Sequence, residues 1–155
     1  MQSFAQLAGN LELNKSMVRG TEGAEIGAGI QYPLSLDYRS KLILAPHVAF
    51  RYILGDGDQV STYSIPLLAV GRYYVYGKHG CSGGAYIEAN AGATFQNQSV
   101  EIMGTNFKDS RVIPEFSAGL GYRGGMGYDL GLRLAWNRTN QNTTSFFGIR
   151  FGYTF

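Results

Sequence analysis

Cysteine is almost absent from this chain of 155 residues: Cys81 stands alone, so no internal disulfide framework can hold the fold. Charge is also scarce. Asp, Glu, Lys and Arg supply 15% of the residues, against ~25% in an average soluble domain. A formal net charge of +2 leaves no polybasic field for nucleic acid. No stretch approaches the ~18 consecutive apolar residues of a membrane-spanning helix. Helix-period segments, interdomain linkers and low-complexity runs are missing too, so residues 1–155 read as a single domain. Glycine and aromatics, by contrast, are plentiful, at 22 Gly and 14% Phe, Trp and Tyr. That much apolar surface excludes a disordered chain.

The dominant signal is alternation with period two, the mark of strands whose faces meet different surroundings. Eight segments carry it: 3–14, 23–32, 41–54, 61–76, 85–96, 111–123, 128–137 and 146–155. In the third, Leu42, Leu44, Pro46, Val48, Phe50, Tyr52 and Leu54 share one parity; in the seventh, Tyr128, Leu130, Leu132, Leu134 and Trp136 do. Across all eight, this parity holds no Asp, Glu, Lys, Arg, His, Asn or Gln, and Ser61 is its one polar member. The opposite parity holds Glu12, Glu25, Lys41, Arg51, Arg72, Glu88, Arg111, Glu115, Arg123, Asp129, Arg133 and Arg150. The connections alternate as well. Segments 15–22, 55–60, 97–110 and 138–145 are polar and mostly longer, whereas 33–40, 77–84 and 124–127 are rich in Gly, Ser and Pro. Eight strands joined up and down in sequence predict an all-β, antiparallel barrel.

Alternation does not say which face meets water. The apolar-face aromatics sort by height, with Tyr32, Tyr73, Tyr122, Tyr128, Tyr153 and Phe155 near the end that holds the termini. Phe50, Tyr52, Tyr63, Phe95, Phe116, Trp136 and Phe147 lie near the other end, and Leu, Ile, Ala and Val fill the band between. Paired girdles of this kind belong at two lipid–water interfaces. The charged face is crowded with Gly23, Gly27, Gly29, Gly92, Gly119, Gly121, Gly131, Gly148 and Gly152. A narrow eight-stranded interior needs such small residues opposite each long side chain. Arg outnumbers Lys there, as ion-paired interiors favour. The last segment reads Phe147-x-Ile149-x-Phe151-x-Tyr153-x-Phe155. Here the chain resembles the small eight-stranded bacterial outer-membrane β-barrel proteins of OmpA/OmpX type. The resemblance covers the whole chain as a pattern and the last strand as a motif. It implies a transmembrane barrel in the bacterial outer membrane with periplasmic termini, and Phe151, Tyr153 and Phe155 as the signal read by the barrel-assembly machinery. Met1-Gln2-Ser3 leads straight into the first segment, so an exported chain is expected here in mature form with an added start. Pro46, Pro66 and Pro114 lie inside expected strands, where local bulges or protruding strand tips would accommodate them. Leu68 and Val70 fall on the lumenal parity.

Glu12, Glu25, Arg51, Arg72, Glu88, Glu115, Arg133 and Arg150 form the candidate lumenal charge network, expected to interlock as a plug. His47 shares that face and is expected to be a hydrogen-bonded interior histidine. No Ser/His/Asp spacing, metal-ligand cluster or Cys–His pair emerges, so no enzyme, catalytic residue, cofactor or metal is expected. Gly119-x-Gly121-x-x-Gly124 fits a dinucleotide fingerprint formally, but a strand rather than a helix follows it. Asp56-Gly57-Asp58 has too few ligands for calcium, and Cys81 is expected to be a bystander. The sequons at Asn97, Asn137 and Asn142 matter only on a eukaryotic secretory route. Connection 97–110 is expected to be the longest exposed loop, either capping the mouth or binding a partner through Glu101, Met103, Phe107 and Lys108. The expected role is structural or anchoring, with a filled lumen and little conductance. The alternatives are an adhesin-like module acting through 97–110 and a narrow conduit for ions or small solutes. The implied partners are membrane lipid, the assembly machinery and an unidentified surface ligand, with no nucleic acid.

Overall fold

The computed structural model describes residues 7–17, 23–37, 39–55, 60–79, 82–102, 105–138 and 143–155. Its strands are β1 (Ala8–Ser16), β2 (Gly23–Gln31), β3 (Leu34–Ser35), β4 (Leu42–Gly55), β5 (Val60–Gly77), β6 (Gly84–Ile102), β7 (Thr105–Arg123), β8 (Tyr128–Arg138) and β9 (Thr143–Thr154). Apart from β2 and β3, neighbours along the chain pair antiparallel; β1 pairs with β9, and β2 pairs with β4, passing over the short β3 in sequence. The result is a closed up-and-down ring of eight strands with β3 added against β4. Closure leaves none of the eight with an open edge.

The outer surface carries the apolar parity. Leu11, Phe50, Val112, Leu120, Tyr122 and Phe151 are each more than half exposed. Among the expected girdle residues, Tyr128 packs at a tilt with its ring centroid 5.2 Å from that of Tyr153, Tyr153 meets Phe155 edge-on, and Phe50 stacks on Tyr63. A belt of leucine and aromatic rings facing outward is the reverse of a soluble core, and hydrocarbon is the medium that removes its exposure to water.

The strand limits differ from the sequence reading most at 97–110, which is not a loop. β6 and β7 continue as a ladder from Asn97↔Ser110 to Ile102↔Thr105. Beyond the apolar belt both faces of a ribbon meet polar surroundings, so the period-two contrast fades while the backbone pairing persists. This corrects the mouth-covering loop to an extended hairpin. Connection 33–40 also contains β3, whose Leu34 and Ser35 pair with Leu44 and Ile43.

The prolines are accommodated without bulges at their own positions. Pro46 and Pro114 face outward and keep their partners Ala69 and Ala93. Pro66 faces inward and pairs with Thr94, but the ladder to β4 skips from Val48↔Leu67 to Arg51↔Ser64. The missing N–H therefore opens a local gap in one ladder without changing its register. The register shift lies elsewhere, between Tyr74 and Tyr76. It turns both Val75 and Tyr76 outward, 56% and 74% exposed.

The end of the lumen near the termini is closed by apolar side chains. Ile43, Val70 and Tyr74 are wholly buried, and Tyr86 is nearly so. Tyr74 and Tyr86 pack with ring centroids 5.4 Å apart. Leu68 and Val70 are both interior, as their parity implies.

Candidate functional site: the charged lumen

Above this apolar floor most charged lumenal side chains meet a partner of opposite sign, because an isolated buried charge is costly to keep. The eight residues of the candidate network are all buried, and seven of them fall into two groups. In the group nearer the termini, Glu88 accepts two hydrogen bonds from Arg150, at 2.7 and 2.8 Å, and one from Arg72 Nε at 2.7 Å. Arg72 also reaches Asp129 at 3.3 Å and Gln31 Oε1 at 2.6 Å. Tyr86 donates its hydroxyl proton to Asp129 and accepts from Arg150 Nη2. The Arg72 guanidinium lies 5.0 Å from the centre of the same ring. Here each arginine is held by more than one acceptor, the planar fork geometry that favours Arg over Lys.

In the second group Arg51 bridges two acids. Its Nε donates to Glu12 at 2.9 Å, and its Nη1 donates to both oxygens of Glu115, at 3.0 and 2.8 Å. Arg133 Nη2 joins Glu12 at 3.0 Å, and the Thr94 hydroxyl donates to Glu115 at 2.6 Å. Glu12 and Glu115 thus balance Arg51 and Arg133 in charge. Glycine makes this packing possible: a Cβ on Gly27 would stand 2.7 Å from Arg51 Cγ and 3.0 Å from the Phe50 carbonyl. His47 sits beside this group, with Nε2 3.6 Å from Glu12 Oε1 and 3.3 Å from Asn10 Nδ2. It faces the lumen, away from the lipid side.

Glu25 stands apart from both groups. It is 5% exposed, and its one hydrogen bond among the described residues comes from Asn14 Nδ2 at 3.1 Å. It lines a cavity of about 280 Å³ at the end of the lumen far from the termini, with Thr62, Thr94, Gln96, Arg111 and Asn137 on the walls. At the opposite end Arg123 Nη1 lies 2.6 Å from His79 Nδ1, in the connection between β5 and β6. Burial, with the Arg123 and Arg72 guanidinium groups adding to it, pushes the His79 pKa down to about 4, Asp129 opposing.

The other candidate residues lie apart from this lumen. Phe151, Tyr153 and Phe155 face outward at the terminal rim, 57%, 41% and 74% exposed. Phe107 and Lys108 are exposed on the β7 arm of the long hairpin, and Glu101 pairs with Asn106 through the backbone. Met103, Cys81, Asp56, Gly57, Asp58, Asn142 and residues 3–6 of the first expected segment lie outside the described residues. Sequence reasoning passed over Tyr74, Tyr86, Gln31, Asn14 and Thr94 as members of the lumen. Their parity carried the signal; for the two tyrosines it was obscured because aromatic rings were assigned to the lipid side.

No family model matches the sequence, and no curated protein matches it. Solved structures match across nearly the whole length. The N-terminal barrel domain of Pseudomonas aeruginosa OprF is 14% identical with a TM-score of 0.70, covering 99% of this chain and 100% of that one. Ail, the attachment invasion locus protein of Yersinia pestis, is 10% identical with a TM-score of 0.70 and full coverage of both chains. The outer membrane enzyme PagL is 15% identical with a TM-score of 0.64, covering 94% of this chain and 98% of that one. The closed ring, the outward leucine and aromatic belt and these matches agree: the chain has the fold of the small eight-stranded β-barrels of the bacterial outer membrane.

Proposed function

We propose that the protein is an integral outer-membrane barrel with a structural or anchoring role and a lumen that carries little current. The observation that supports this most is the layering of the interior. An apolar floor of Ile43, Val70 and Tyr74 lies beneath two ion-paired groups whose arginines and carboxylates reach across from different strands. Passage of an ion would require several of these pairs to open together, each break exposing an uncompensated buried charge. The reading is non-catalytic. PagL carries an enzyme on this fold, so the residues bear the argument, and His47 is engaged with Asn10 and Glu12 inside the lumen. Lipid surrounds the barrel, and Phe151, Tyr153 and Phe155 serve as the assembly signal. Single-channel recording in planar bilayers tests the sealed lumen. The wild type is expected to show no discrete steps, and Arg133→Ala, which frees one acceptor site on Glu12, is expected to raise leakage. Regular conductance steps in the wild type would favour the conduit instead.

A second reading, an adhesin-like surface, draws on the long β6–β7 hairpin. Its β7 arm presents Phe107, 57% exposed, next to exposed Lys108. Among the structural matches, Ail is an attachment invasion locus protein, and one of its structures holds the heparin analogue sucrose octasulfate. Shortening the hairpin and measuring attachment of expressing cells separates the two roles.

A further inference from the structure

The cavity at the far end of the lumen has a composition that the sealed interior does not require. The two ion-paired groups below it balance in charge without Glu25: Glu12 and Glu115 face Arg51 and Arg133, while Glu88 and Asp129 face Arg72 and Arg150. Glu25 is therefore a surplus acid. Its side chain is nine-tenths buried, it has no ion-pair partner among the described residues, and Asn14 supplies its single hydrogen bond. An ionised carboxylate accepts about four hydrogen bonds, so most of its capacity faces the cavity unused. Asn137 Oδ1, on the same wall, is buried with no hydrogen-bond partner among the described residues. The hydroxyls of Thr62 and Ser64 add further acceptor capacity.

We propose that this cavity is a binding site for a small ligand bearing a primary ammonium group, with the ammonium seated between Glu25 and Asn137. The chemistry of the wall selects it. A carboxyl group and unused acceptors line one cavity, and a compact cation with three N–H donors would hold the carboxylate ionised and bond to both. About 280 Å³ is room for a short amine and its first waters, and too little for a folded peptide. Among the described residues Arg111 is the one basic side chain of the wall; it is exposed, so water and salt screen its repulsion, while an interaction with buried Glu25 is screened far less. The Arg51–Glu115 pair lies below, which makes the site a blind cup: a ligand enters and leaves by the same end.

The test uses the full ¹⁵N-labelled barrel in lipid nanodiscs, titrated with butylammonium and, separately, with neutral butanol. Butylammonium is expected to shift the side-chain amide signals of Gln96, Gln98 and Asn137 saturably, and butanol is not. Glu25→Gln is expected to weaken the affinity at least about tenfold, the effect of losing a hydrogen bond to a charged group, with heat-dependent gel mobility confirming that the variant remains a closed barrel. Equal shifts from both probes, no saturable shift, or unchanged affinity in Glu25→Gln would overturn the proposal. If Glu25→Gln does not fold, the wild-type contrast between butylammonium and butanol decides alone.

Discussion

Replacing Glu115 by alanine removes the most enclosed acid of the lumen. Its side chain has no solvent exposure, and it accepts two hydrogen bonds from Arg51 and one from Thr94. The alanine leaves Arg51 with Glu12 Oε2 at 2.9 Å as its remaining acid. It also leaves the Thr94 hydroxyl without its acceptor. Stripping one member from a buried ion pair costs about 3–5 kcal/mol. The surviving Glu12 contact places Glu115→Ala near the lower end, at roughly 3 kcal/mol. At a urea slope of about 1–3 kcal/mol per molar, the unfolding midpoint in detergent should fall by about 1–3 M. The comparison is Lys78→Ala, at an exposed position in the connection between β5 and β6, where about 0.5 kcal/mol or less is expected. A second arm separates lost pairing from lost volume: Glu115→Leu combined with Arg51→Met should recover much of the deficit, since apolar replacement of a whole buried pair is often neutral or stabilising. Equal midpoints for Glu115→Ala and Lys78→Ala would refute the idea that ion pairs hold this interior together.

Gly92→Ala should destabilise the barrel by about 1–3 kcal/mol, because the added Cβ meets the Leu67 carbonyl and comes within 2.9 Å of Leu68 Cα. Gly9→Ala, whose Cβ meets only Phe155 Cε2 at 3.6 Å, should stay within about 0.5 kcal/mol in the same urea titration. His79 predicts an acid-sensitive stability. Its folded pKa of about 4 lies below the ordinary 6.5, so the unfolded chain takes up the proton first. Stability should fall as pH drops from about 6.5 towards 4, and His79→Gln should flatten that part of the midpoint-against-pH curve. In the conductance assay, Arg133→Ala should leak more than the wild type, while Arg138→Ala, on the outward parity of β8, should not.

The sequence made the two faces legible because the contrast between lipid and lumen is imposed residue by residue. Leu130, Leu132 and Leu134 alternate with Gly131 and Arg133 whatever the rest of the barrel does. It also placed Glu25 and Glu88 on the same face. It could not show that Glu88 is gripped by Arg72 and Arg150 while Glu25 has no arginine partner among the described residues. Where the contrast faded, the reading failed: Thr105 and Lys108 continue a strand, but nothing in their alternation distinguishes that strand from a loop. The Tyr74/Tyr76 register shift was equally hidden, since a bulge moves one residue out of step without leaving a composition of its own.

Parity is a local property, and the chain alone determined it: which side chains meet hydrocarbon, which meet one another, and that the strands close into a ring. Partnership inside that ring was decided by the tertiary structure. Glu12 joins Arg51 and Arg133, residues of β4 and β8 far from it in sequence, because strand tilt and closure through β2 and β4 set all three at one height. The same stagger left Glu25 beside the cavity without an arginine partner among the described residues. No period along a chain encodes that outcome, because it depends on the rise and offset of several strands at once.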